Sequence, residues 1–192
     1  MREYRVEILL GLVVLVCSSY LLLKWQSKPP PKSTCGGPLV TIQVPDDTMA
    51  PILKSGASVK ILTNWNGCYE LTKGDLVAFK ISASHDPVVK RLEAMAGDVF
   101  RIERSEDKSG WNVFVNNTLL ERNGKPYKFG SPALPLLKIY QEKHQGLLDQ
   151  NAILLFSETP PGDQDSGTLG VVNVQDLLGP VVLGPDSSRT GP

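Results

Sequence analysis

Residues 74–117 read GDLVAFKISASHDPVVKRLEAMAGDVFRIERSEDKSGWNVFVNN, and they decide the fold. Short apolar runs at 76–81, 88–92, 98–102 and 111–115 are rich in Val, Ile and Phe. Each is bounded by Gly, Pro, Asn or Asp, which is the pattern of strands separated by tight turns. Upstream, 40–44 (VTIQV) and 57–62 (ASVKIL) alternate in the same way, and 152–156 (AILLF) reads as a fully buried strand. Leu169-Gly170-Val171-Val172 together with Leu183 predicts late pairing, and residues 135–148 form a short helix or a loop. Strands at this spacing without intervening helical periodicity imply a mainly β protein of coiled, partly barrel-like antiparallel sheets.

The chain has 192 residues, with 17 Gly and 15 Pro, about one residue in six, which favours turns and short strands over a helical bundle. Its 20 basic and 20 acidic residues cancel, so it lacks the basic excess of a sequence-blind nucleic-acid binder, and no nucleic-acid partner is expected.

Residues 6–23 (VEILLGLVVLVCSSYLLL) carry one charge, Glu7. About 18–20 apolar residues cross a hydrocarbon core of roughly 30 Å. Arg2 and Arg5 precede the segment and Lys24-Trp25 close it, as interfacial anchors do. The sequence that follows, Lys24 to Pro29, offers no small-x-small cleavage site, so a retained anchor is expected rather than a removed leader. Residues 27–38 (SKPPPKSTCGGP) form a stiff tether with no core-forming side chains. The expected organisation is anchor and flanks at 1–26, tether at 27–38, β catalytic domain at 39–184 and flexible tail at 185–192. Charge alone does not orient the anchor, because Lys24, Lys28 and Lys32 oppose Arg2 and Arg5.

Two places hold reactive side chains. In Asp46-Asp47-Thr48-Met49-Ala50-Pro51 a hydroxyl stands at the end of a strand. In Val88-Val89-Lys90-Arg91 an ammonium stands inside an apolar one. Lysine acts as a general base for a hydroxyl only when neutral, so its pKa must drop from about 10.4 to about 8, and burial is the usual means. Taken singly, Lys90 and Arg91 read as strand-edge charges and Thr48 as a turn residue.

The order of the motifs changes that reading. Thr48-Met49-Ala50-Pro51-Ile52-Leu53 is followed by Gly56, then by Gly74-Asp75-Leu76-Val77-Ala78-Phe79. Lys90-Arg91, Gly97-Asp98, Val115-Asn116 and Asp165-Ser166 come next, with Gly170 beyond. In this series the chain resembles the type I signal peptidases, membrane-anchored Ser-Lys endopeptidases, from the anchor to about Val182. The resemblance implies Thr48 as nucleophile and Lys90 as general base. It implies Asp46, Asp47, Met49, Pro51, Asp163, Asp165 and Ser166 as oxyanion or supporting residues, and Gly74, Asp75, Arg91, Gly97 and Asp98 as structural motif. It also implies a single-pass membrane protein with its catalytic domain on the extracytoplasmic side, needing no cofactor or metal. Exported precursors after small residues would be its substrates, membrane lipid a partner, and a partner peptidase or translocation machinery a further one. The alternative is a catalytically silent relative that binds precursors or a partner peptidase. A relative specialised for one substrate, as in conjugation systems, is a third reading.

The departures from the pattern are specific. Thr48 stands where the family has Ser, and its methyl stiffens χ1. Asp46 stands near the oxyanion site, where a carboxylate opposes developing negative charge unless it points to solvent. Ser157-Glu158 replaces a Gly-Asp, Asp163 falls where a lysine-orienting Ser is common, and Gly167 replaces an Arg after Asp165-Ser166. Asn117 for Gly and Ala57 for Asp read as mild structural changes. His85 and His144 are isolated, so no metal site is expected. Cys35 and Cys68 can pair in an oxidising compartment, and Cys17 is apolar filling in the anchor. Trp25, Trp65 and Trp111 read either as a membrane-facing rim or as ordinary packing.

Overall fold

Strand β4 (Val88–Ala94, VVKRLEA) is buried at its first three positions, so it is covered on both faces where it enters the domain. The computed structural model describes residues 37–81, 86–130, 134–160 and 162–183. The segments expected to form the anchor, most of the tether, and the tail from 184 onward lie outside them. Among the described residues no helix is long and apolar enough to cross a membrane.

Around β4 is a seven-stranded antiparallel sheet in the order β1-β2-β13-β3-β4-β11-β12. Its members are β1 (Leu39–Gln43), β2 (Ser58–Leu62), β3 (Leu76–Phe79), β11 (Ala152–Phe156), β12 (Val172–Asn173) and β13 (Leu177–Val182). The sheet is open: β1 and β12 are its edges, and among the described residues no closed barrel forms. β3 (LVAF) and β11 (AILLF) are buried at every position, as the unbroken apolar runs predict.

A second sheet joins β5 (Phe100–Arg104), β6 (Trp111–Val115), β7 (Thr118–Leu119) and β10 (Lys128–Phe129). A small hairpin is made by β8 (Glu121–Arg122) and β9 (Lys125–Pro126). Helix α1 (Pro135–His144) starts on proline, which suits a first helical turn whose N–H groups have no partner anyway. One core gathers Phe100, Val113, Tyr127, Phe129, Leu137 and Phe156 between the second sheet, α1 and β11. Another gathers Val44, Met49, Leu53, Ile61, Ala78 and Val89 beneath the turn that carries Thr48.

One strand expectation changes, and the two readings of Trp65 and Trp111 separate. Leu169 lies not in a strand but at the end of α2 (Ser166–Leu169), because Asp165 caps that turn by accepting from the Gly167 N–H at 2.8 Å. The late strands are therefore Val172–Asn173 and Leu177–Val182. Trp65 is buried against the domain and belongs to no exposed rim. Trp111 is covered by Lys138, whose Nζ sits 3.2 Å from the ring centroid. Trp25 and His85 lie outside the described residues.

Candidate active site

The hydroxyl-bearing turn follows β1 and is anchored from below. Met49, fully buried, roots it in the core, and the Leu53 N–H donates to the Met49 carbonyl at 2.9 Å. The Thr48 carbonyl accepts from the N–H groups of Glu158 (2.9 Å) and Thr159 (3.0 Å), which fixes the turn to the segment after β11. Asp47 turns outward and accepts from the Ser55 N–H at 2.8 Å, and Pro51 is exposed. Both shape the turn rather than the reactive centre.

Lys90 reaches that turn from β4. Its backbone pairs in register with Val77, and Val88 and Leu92 share its face of the strand. The side chain is fully buried, and its Nζ lies 2.6 Å from Thr48 Oγ1. Burial pushes the amine below the ordinary lysine value; the charges of Asp46, Asp165 and Asp163 pull the other way without cancelling it. Forty-two residues apart in sequence, the two groups meet only because β4 runs beneath the Thr48 turn.

Asp46 does not point to solvent. Its Oδ1 accepts both from the Thr48 N–H (2.9 Å) and from the Thr48 O–H (2.5 Å). Burial raises its pKa, but the two bonds from Thr48 and the neighbouring Lys90 outweigh this and leave the carboxyl below the usual aspartate range. Asp163 is exposed and accepts from the Gln164 N–H at 2.8 Å, so it does not take the orienting place of a serine on the amine.

Asp165 and Ser166 work inside the fold. Asp165 is fully buried; besides capping α2 it accepts from the Ser157 N–H at 3.2 Å and the Tyr127 O–H at 3.4 Å. Ser166 Oγ accepts from the Leu155 N–H at 2.9 Å. Gly167 sits where a side chain would collide: an added Cβ would fall 2.5 Å from Phe129 Cε1 and 2.9 Å from Asp165 Oδ1. Gly167→Arg is therefore expected to cost about 3 kcal/mol by overpacking. Tm would then fall by roughly 6–12 °C in a domain of this size, which a thermal melt will check.

Arg91 points away from Lys90, donating to the Gly74 carbonyl at 2.6 Å and pairing with Glu158. Glu158 also lies 3.5 Å from Arg122 Nε, and Arg122 bonds Glu93. This network ties β4, the β8 hairpin and the segment that clasps Thr48. Arg122 and Glu93 escaped the sequence reading, since nothing local in the chain marks a pairing as distant as Arg122 with Glu93 or Glu158. Gly74 takes a positive φ (97°) and donates its N–H to the Leu92 carbonyl at 2.7 Å. Asp75 accepts from the Thr72 N–H at 2.8 Å. At Gly97-Asp98, the aspartate accepts from the Met95 N–H (2.9 Å), Asn116 Nδ2 (2.6 Å) and Lys73 Nζ (3.1 Å). All are turn-forming roles. His144 stacks on Tyr140. Cys68 is disulfide-bonded.

A buried amine held on a hydroxyl, at a turn clamped from three directions, is the arrangement that hydroxyl–lysine hydrolysis requires. The family model "Signal peptidase, peptidase S26" matches residues 37–184, and the chain belongs to that family. Among solved structures, it is similar to a signal peptidase I from Enterococcus faecalis V583. Identity is 16% and the TM-score 0.42, with 59% of this chain and 97% of that chain covered. No curated protein matches the chain.

Proposed function

We propose that this chain is a membrane-anchored endopeptidase that cuts exported precursors after small residues, with Thr48 as nucleophile and Lys90 as general base. The 2.6 Å approach of a buried Nζ to Oγ1 carries this reading. A neutral Lys90 takes the Thr48 proton as Oγ1 attacks the scissile carbonyl carbon. The resulting ammonium returns the proton to the leaving amine as the peptide C–N bond breaks. A water, deprotonated by the same amine, then hydrolyses the acyl-threonine ester.

The surroundings suit an extended substrate. β1 pairs only with β2 among the described residues, leaving its other edge open. β11 engages β4 at Arg91, Leu92 and Ala94, so Val88 to Lys90 have no partner strand on that side among the described residues. A groove of about 520 Å³ is lined by Ile42, Val44, Pro45, Gly56, Asp86 and Pro87. A peptide entering it as an added strand gains main-chain hydrogen bonds that ignore side-chain identity. The apolar segment at 6–23 supports single-pass anchoring, and a disulfide at Cys68 supports an oxidising, extracytoplasmic side.

One observation favours the silent-relative reading instead: Asp46 engages both the N–H and the O–H of the nucleophile. Cleavage of a labelled precursor by the full chain in detergent separates the two. Wild type is expected to cut at a small-x-small site, with a rate that rises with pH and levels off below the ordinary lysine pKa, because only the deprotonated amine is a base. Thr48→Ala abolishes cleavage, and Thr48→Ser retains or raises it. Absence of cleavage by both wild type and Thr48→Ser, at every pH, would leave only the binding role.

A further inference from the structure

We propose that Asp46 is a built-in restraint on the Thr48 site, a positioning residue whose carboxylate occupies the amide and the hydroxyl proton that acylation needs, so that a substrate carbonyl must displace it before reacting. The inference rests on the Thr48–Lys90 peptidase reading and adds a resting state to it.

Three consequences of one contact point the same way. The Thr48 N–H is the backbone donor beside Oγ1 and the natural partner for an oxyanion forming there. While it donates to Asp46 Oδ1 at 2.9 Å, it cannot donate fully to a substrate oxygen. The Thr48 O–H donates to the same oxygen at 2.5 Å, so its proton is directed at Asp46 and away from Lys90 Nζ, 2.6 Å off on the oxygen. A carboxylate at this place also repels an oxyanion and favours the charged form of Lys90. The other acidic groups acting on Lys90 are Asp163, exposed, and Asp165, which is spent on Gly167, Ser157 and Tyr127. Only Asp46 bonds the nucleophile itself. It is half-buried, in the turn rather than in the core, so a change of rotamer alone releases both bonds.

The test uses a tripeptide boronic acid with an alanine-like residue at boron. On binding, Thr48 Oγ1 bonds to boron, its proton passes to Lys90, and boron becomes a tetrahedral anion whose oxygen sits where the oxyanion would. The same peptide ending in a carboxamide reports ground-state binding only. Asp46→Ser, too short to bridge both groups, is expected to bind the boronate about 10- to 100-fold more tightly than wild type, short of or reaching the lower end of the 10²–10³ range of one oxyanion donor. Asp46→Asn, which drops the charge but keeps an acceptor oxygen, falls between them. Carboxamide affinity changes less than about twofold, as expected when only the transition-state-like complex is affected. If Asp46→Ser unfolds, as a thermal melt would reveal, the Asp46→Asn comparison decides. Boronate affinity that is unchanged or weaker in the variants overturns the proposal, and loss of binding in both would make Asp46 the proton acceptor instead. The peptidase reading fails on a different result: no precursor cleavage by wild type, Asp46→Ser or Asp46→Asn. Wild-type cleavage that Asp46→Ser does not accelerate overturns the restraint alone.

Discussion

Lys90→Met is expected to abolish precursor cleavage, by about 10³-fold or more, while making the protein more stable. The loss follows from removing the only amine within reach of Thr48 among the described residues, since a positioned general base contributes about 10²–10⁴ in rate. The gain follows from burial. Lys90 is fully enclosed, and its lowered pKa means that folding disfavours the charged form. The sign is explicit: between the lowered folded value and the ordinary value the unfolded chain binds more protons, so stability rises with pH across that window. Below that window the wild type carries the full penalty. Methionine fills a similar volume without charge, and replacing buried ions by apolar groups stabilises by about 1–4 kcal/mol where it acts at all, so about 1–2 kcal/mol is expected. Urea unfolding and a cleavage assay on the same preparation will check both halves. A lysine kept for structure would give the opposite stability result.

Asp165→Ala is expected to cost about 3–5 kcal/mol of stability, enough to unfold a domain of ordinary margin near its working temperature. The buried N–H groups of Gly167 and Ser157 and the Tyr127 hydroxyl all donate to this one carboxylate. Removing the acceptor strands them in a core where each lost partner costs about 1–3 kcal/mol. Burial raises the Asp165 pKa despite those bonds, so the carboxylate is held at a penalty that only its partners offset. Asp165→Asn keeps one acceptor oxygen and removes the charge, and so should lose less. Denaturant midpoints for the three proteins will order them. Because Ser157 precedes the two amides that hold the Thr48 carbonyl, activity should fall with stability in Asp165→Ala.

How much of this was legible follows from the range of each interaction. β3 and β11 announce themselves, because their continuous apolar runs suit strands covered on both sides. β7 to β10 have two residues each, too few for any period to be read. The stretch at Leu169 is apolar enough to pass for a strand, yet the cap at Asp165 turns it into a helix, and a cap is recognised only once its acceptor is seen on a backbone N–H. The residue types at Thr48 and Lys90 were readable; their contact was expected only through the resemblance, since it depends on which strand lies beneath which turn. Asp46 was ambiguous for a smaller reason. One rotamer decides whether its charge faces water or the nucleophile, and sequence carries no information about that choice.

The Thr48 carbonyl is gripped by the amides of Glu158 and Thr159, and Lys90 comes from a strand between them in the chain. Residues 158 and 159 must therefore be synthesised before the clasp on the turn that carries Thr48 is complete. On the proposed reading, the nascent polypeptide would carry both reactive groups well before the clasp that sets them in place.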